Sequence, residues 1–193
     1  MSTKEFETLD DLIAYQAARE GRLPRSGERA PSEIQYLIGD ATVPGYPTRE
    51  RIICHVCNDV GAWGAGFTRS VSRLSPAPER SYRDAIRQTQ PKPLGAASLA
   101  KVNPSLFVAN MIAQRGLPTK ARRVVIDYPA LEECLGFVGK IAADWEASCH
   151  MPRIGCGLAG GDWRTIEAII VRTLCALGVP TYVYDLPRSD REN

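Results

Sequence analysis

Apolar residues along the chain fall into short runs and helical stripes that alternate. IQYLIG at 34–39 and RIICHV at 51–56 are brief runs rich in β-branched residues, and both read as strands. FTRSVSRL and PERSYRDAIRQ follow as short helices. AASLAKV and SLFVANMI flank Asn103-Pro104, a turn dipeptide, so these two segments are expected to pair as a hairpin. Over residues 130–147, Leu131, Cys134, Leu135, Val138, Ile141, Ala142 and Trp145 recur at helical spacing, which predicts a long helix with one buried face. SCHMPRI reads as a short strand, residues 163–177 as a helix, and PTYVYDL as the last strand. Roughly six strands interspersed with helices predict an α/β fold, and the hairpin makes its sheet mixed.

The ends differ from this body. Phe6, Leu9, Leu12 and Ile13 lie near one helical face, and GRLPRSGERAPSE is a polar Pro/Gly linker. The organisation read from this is a helix-and-linker appendage over 1–32, one domain over 33–187, and a polar tail over 188–193. The appendage is either an accessory segment or a packing element without chemistry.

Composition narrows the classes. The 193 residues are 44% hydrophobic and 24% charged, enough for one sizeable core. A formal charge of +2 carries no strong overall footprint for nucleic acid. No apolar run reaches membrane-span length, and MSTKEFETLDD is too acidic for a signal peptide. The expectation is a cytoplasmic monomer whose six cysteines are thiols. Cys54 and Cys57 have C-x-x-C spacing, but within a strand residues three apart point to opposite faces. They are therefore read as buried structural thiols, and no metal site is expected.

Two glycine-rich loops each follow a strand and precede a helix. The first is Asn58-Asp59-Val60-Gly61-Ala62-Trp63-Gly64-Ala65-Gly66, and the second is IGCGLAGGDW at 154–163. Open α/β sheets bind ligands at the carboxyl ends of their strands, where these loops fall. Glycine lets the main chain approach a partner, and unsatisfied amides at helix starts suit phosphate. Two such loops facing one another are expected to cradle two phosphates; the alternative is turns needed only for folding. Neither loop has the Gly-Lys-Ser/Thr of nucleotide hydrolases, and neither is read as the G-x-G-x-x-G dinucleotide fingerprint.

Four motifs, in this order, resemble the macrodomain family: GDAT at 39–42, ICHVCNDVGAWGAGF at 53–67, VANMIAQ at 108–114 and MPRIGCGLAGGDW at 151–163. MPRIGCGL is most similar to the branch that includes the terminal ADP-ribose glycohydrolases. The resemblance implies a three-layer α/β/α sandwich with ADP-ribose in a cleft. It implies that Asp40, with Ala41 beside it, meets the adenine amine; Asp40 is otherwise a polar turn residue before Thr42. It implies that Asn58 lies near the ribose hydroxyls. Gly61, Gly64, Ala65 and Gly66 would border the distal ribose and diphosphate. Gly155, Cys156, Gly157, Leu158, Ala159, Gly160 and Gly161 would wrap the diphosphate through their amides. Trp163 stacks on a sugar or fills the core. The implied partner is ADP-ribose or an ADP-ribosylated macromolecule, with nucleic acid only as such a carrier, no membrane and no cofactor.

Asp162 just before a helical pattern is either an N-cap or a general base that orients water. The glycohydrolase branch places a lysine nucleophile and an aspartate where this chain has Gln114 and Ala159. A glutamine cannot form the covalent amine adduct, so the expected chemistry is hydrolysis by a positioned water. Asn58, Asp59 and Asp162 are its catalytic candidates, and His55 is read as a satisfied buried histidine. The alternative is a reader that binds ADP-ribose without turnover.

Overall fold

The computed structural model describes residues 30–45, 50–88 and 93–187; the expected N-terminal appendage up to residue 29 and the tail from 188 lie outside them. Six strands form one sheet: β1 (Ile34–Ile38), β2 (Arg51–Asn58), β3 (Ala97–Asn103), β4 (Leu106–Gln114), β5 (Ser148–Pro152) and β6 (Thr181–Asp185). Their order is β1-β6-β5-β2-β4-β3. All neighbours are parallel except β3, which pairs antiparallel with β4 as the Asn103-Pro104 hairpin requires. The chain leaves β1, β2, β4, β5 and β6 at one edge of the sheet, so their following loops converge there.

Helices α1 (Thr68–Leu74), α2 (Ala77–Gln88), α3 (Tyr128–Asp144) and α4 (Trp163–Thr173) cover both faces. The strand period of two sorts the side chains between them. Ile52, Cys54, Phe107, Ala109 and Met111 pack with Leu131, Leu135, Val138, Ile166 and Ile170 of α3 and α4. From the other face, Ile53 and Val108 meet Val71 of α1, while Cys57 and Ile112 meet Tyr82 of α2. Cys54 and Cys57 thus lie on opposite sides of the sheet, and both are buried. Every residue of β4 is buried, which makes it a central strand covered on both faces.

Element boundaries shift where capping chemistry decides them. α3 begins at Tyr128, earlier than its apolar stripe, because Asp127 caps it by accepting from the Ala130 N–H and Pro129 fits the first turn. The expected 163–177 helix is α4 to Thr173 followed by a 3-10 turn over Cys175–Leu177, closed by Gly178 at φ 68°. β2 runs two residues further than its apolar run, to Asn58. There the register with β4 slips, Cys57 pairing with Ile112 and Asn58 with Gln114. Such a bulge re-aims side chains at the end of a strand pair, and here both re-aimed residues enter the site.

Candidate functional site

A cavity of about 800 Å³ opens at the carboxyl ends of β2, β4 and β5. Its walls include Asn58, Gly64, Ala65 and Gly66 from the first loop and Gly155, Gly157, Leu158 and Ala159 from the second. The two loops touch: a Cβ built on Gly66 would stand 3.3 Å from Leu158 Cδ1. A third wall is Gln114, Leu117 and Pro118, from the segment after β4.

Asn58 holds the first loop in shape. Its Oδ1 accepts from Val60 N at 3.1 Å and Ala62 N at 2.9 Å, and its Nδ2 donates to Ala62 O at 2.7 Å. The Tyr82 hydroxyl, its acidity suppressed by burial, donates into the same pair of Asn58 oxygens, 2.7 Å from the carbonyl. Asn58 therefore lines the cavity with its hydrogen-bonding atoms already engaged. Thr68 Oγ1 donates to Ala65 O at 2.7 Å and accepts from Gly64 N at 3.1 Å, which fixes the loop to the start of α1.

In the second loop the glycines divide by role. Gly155 and Gly160 have φ of 73° and 69°, and a Cβ on Gly160 would stand 2.6 Å from the Arg123 carbonyl oxygen. A Cβ on Gly161 would stand 2.9 Å from Gly155 O. These three are required by folding. Around Gly157, which lines the cavity, nothing lies within 4 Å of a built Cβ. Gly155, Gly157 and Gly160 do stand in G-x-G-x-x-G spacing, contrary to the sequence expectation. They divide as the glycines of that fingerprint do, into tight turn, close backbone approach and packing, on a sheet of different order. Ala159 O accepts from Val125 N at 2.9 Å and Ile126 N at 3.2 Å, which points the loop the other way. Among the described residues, the N–H groups of Gly157, Leu158 and Ala159 find no acceptor, and successive free amides are what an anion-binding backbone concavity needs.

No carboxylate lines the cavity, so its walls carry no negative charge to repel an anion. His55, Cys57 and Arg153 are the ionisable residues among its walls. Burial lowers the His55 pKa to about 4, so the ring is neutral near pH 7. Asn110 Nδ2 donates to Pro78 O and Ser98 Oγ, leaving its Oδ1 to accept from His55 Nε2 at 2.8 Å. The proton of the neutral ring is thus on Nε2, and His55 is a satisfied wall residue. Arg153 is held by Asp185 through two bonds of 2.7 and 2.8 Å and lies over the rings of Trp163 and Tyr36.

The other expected residues do not line the cavity. Asp40 Oδ1 accepts from Thr42 N and Thr42 Oγ1, both at 2.8 Å, in a tight turn after β1. Ala41 is buried with Tyr182 and Tyr184, and Phe67, which lines the cavity, packs against this cluster. Asp59 Oδ1 accepts from Gly116 N at 2.6 Å, tying the first loop to the segment after β4. Asp162 caps α4, accepting from Thr165 N and Oγ1 at 2.9 Å, and these bonds lower its pKa. Gly61, Cys156, Gly160, Gly161 and Trp163 are also outside the lining, and Trp163 packs at the edge of the core. Sequence reasoning missed Leu117 and Pro118. Their signal was available, since they follow the carboxyl end of a strand, but the motif read at that strand stops at Gln114. Among the described residues no cluster of His, Cys, Asp and Glu is placed to hold a metal.

Comparison with known proteins places this architecture. No protein-family model matches the chain. Mouse "Chromodomain-helicase-DNA-binding protein 1-like" is 30% identical over 165 residues, covering 82% of this chain and 18% of that protein. The chain thus spans less than a fifth of the length of that relative. A solved macrodomain protein from Streptomyces coelicolor is 44% identical, with a TM-score of 0.69, over 79% of this chain and 99% of that one. Thermosipho africanus DarTG, solved in complex with ADP-ribose, shares the fold at 19% identity and a TM-score of 0.62, over 89% of this chain and 46% of that one. With the six-stranded mixed sheet, the paired glycine loops and these likenesses together, the chain belongs to the macrodomain family.

Proposed function

We propose that the cavity binds ADP-ribose. The observation that carries this is the row of free amides at Gly157, Leu158 and Ala159, facing the first loop across a cavity without carboxylates. Its volume of about 800 Å³ lies in the range of small-molecule sites and accommodates a dinucleotide-sized ligand. The diphosphate rests on those amides, the adenine lies toward the Asp40–Thr42 turn, and the distal ribose lies toward Gly64–Gly66. Family membership supports the reading, as does DarTG, a protein of the same fold solved with this ligand.

The finer reading is hydrolysis of an ADP-ribosyl linkage on a macromolecule or acyl ester. The likeness of MPRIGCGL to the glycohydrolase branch favours it, while Gln114 on the cavity wall stands where that branch has its lysine nucleophile. Its mechanism runs through water, since glutamine forms no amine adduct. Asn58 and Asp59 then act by holding the loop that positions the water. The base is either Asp162, reaching in from the rim, or the substrate's own oxygens. The test is release of ADP-ribose from substrates modified on carboxylates, on serine and on nucleic acid, beside measured ADP-ribose affinity. Release without a borohydride-trapped adduct is the expected hydrolase result. Affinity without release makes the chain a reader, and a trapped adduct overturns the water mechanism.

A further inference from the structure

Four apolar side chains from three loops stand exposed at the mouth of the cavity: Val60, Leu117, Val124 and Leu158, each 49–58% exposed. The loops that carry them are joined. Leu117 and Leu158 both line the cavity. Asp59, just before Val60, accepts from Gly116 N, just before Leu117. Val125 N, just after Val124, donates at 2.9 Å to the carbonyl of Ala159, just after Leu158.

Cations without partners flank this apolar ground. Residues 60–78, 114–126 and 152–161 include no Asp or Glu. Arg69, Arg73, Lys120, Arg122 and Arg123 are exposed, and among the described residues none of them meets a carboxylate. Arg69 Nε donates to Gly64 O at 2.9 Å in the first loop, with Arg73 one turn further along α1. The other three belong to the segment that carries Leu117 and Val124. That segment is held in shape by a bridge between Gln114 and Ile126 and, at its tip, by Thr119 N donating to Arg122 O at 2.9 Å.

One stretch of this chain, outside the described residues, has the complementary character. Residues 5–18, EFETLDDLIAYQAA, hold four carboxylates and no Lys or Arg. At about 100° per residue, Phe6, Leu9, Leu12 and Ile13 share one helical face, with Glu5 and Asp10 beside it. A body of this fold closes without such an addition, since the Streptomyces macrodomain protein is matched over nearly its whole length by part of this chain. The stretch can also reach. Ser32 N donates to Cys175 O at 2.9 Å, which pins the chain where it enters β1 at the amino edge of the sheet. From there the first loop lies about 17 Å along the strands and about 14 Å across three strand spacings. Residues 19–33 span about 50 Å when extended.

We propose that residues 5–18 dock as an amphipathic helix across the cavity mouth of the same chain. Phe6, Leu9, Leu12 and Ile13 lie on the apolar ground, and the four carboxylates lie among the five cations. Two properties of the rim are met at once, which a purely acidic or a purely apolar occupant would not do. A second copy fits less well, because a two-fold pair of rims would set cations against cations. The docking is independent of what the cavity binds, and whatever enters the cavity must displace the helix.

The test uses the full chain in two measurements. Carbodiimide, which joins an amine to a carboxylate in contact with it, should link Lys120 to Glu5 or Asp10. The yield should fall severalfold as salt rises from about 50 to about 500 mM, because screening weakens the pairing. Hydrogen exchange over residues 116–124 should be about threefold or more slower in wild type than in Leu9→Ser/Ile13→Ser or in Arg73→Gln/Arg123→Gln. Exchange in the buried strand β4 should be the same in all three proteins, and both variants should lose most of the cross-link. Absence of the Lys120 cross-link in wild type overturns the proposal whatever the variants do. Equal exchange over 116–124 in wild type and variants overturns it too, as does wild-type protection that falls on 34–38 and 163–171 instead. Isotope-mixed cross-links, formed between labelled and unlabelled chains, would assign the docking to a second copy and overturn it as well.

Discussion

At Gly157, a cavity-lining residue, the fold leaves open space for a Cβ, whereas at Gly160 it leaves none. Gly157→Val should therefore fold with little change in unfolding temperature and lose ADP-ribose affinity about tenfold or more, since its branched side chain occupies the approach to the free amides. Gly160→Ala should instead lower the unfolding temperature, because its φ of 69° and the Arg123 carbonyl 2.6 Å away both resist a Cβ. Paired thermal melts and titrations separate the two, and equal affinity in Gly157→Val would remove this loop from the ligand. Asp162→Asn keeps the oxygen that accepts from Thr165, so the fold should be unaffected. Single-turnover release, if wild type shows it, should fall about 10²–10⁴-fold only if Asp162 is the base. The cap was legible in the sequence, from an acid standing before a helical stripe. The engagement of Asp59 was not, since its partner Gly116 lies 57 residues away and the bond exists only once β2 and β4 are paired.

Between elements, α3 packs closely against α4. A Cβ on Gly139 would stand 2.7 Å from the Thr173 carbonyl oxygen and 3.1 Å from Leu174 Cδ2. Gly139→Ala gains helix propensity but forces two backbones apart, and overpacking of this kind costs about 1–3 kcal/mol. Chemical denaturation should show a lower midpoint at unchanged slope, and a stabilised variant would mean that the helices separate freely. Nothing in the sequence marks this glycine, because its neighbour is another helix's backbone. The strands and helices themselves were legible, since their apolar periods are unambiguous and Asn103-Pro104 fixes the hairpin. What stayed hidden was how β4 lies: reading it as a hairpin arm concealed a central strand whose carboxyl end opens the site.

For the whole molecule, two buried histidines set the response to acid. His55 and His150 both have pKa values lowered to about 4, chiefly by burial, with the Arg51 charge adding to His150. The unfolded chain titrates them near 6.5, so it takes up protons first as pH falls. Their contribution is complete above pH 6.5 and is lost between there and 4, at about 1.4 kcal/mol per pH unit for each ring. Asp162 and Asp185, held below 3.8 by their hydrogen bonds, lose theirs only at lower pH. Unfolding temperature should accordingly decline from pH 6.5 downward, and a flat profile to pH 4.5 would mean that the rings are hydrated.

The central claim is that paired glycine loops hold a diphosphate between an adenosine and a second ribose. Calorimetric titration with ADP-ribose and, separately, with AMP tests it most directly. One-to-one binding of ADP-ribose is expected, with AMP much weaker because it lacks the second phosphate and the distal ribose. No heat from ADP-ribose at millimolar concentration, or AMP binding as tightly as ADP-ribose, would contradict it.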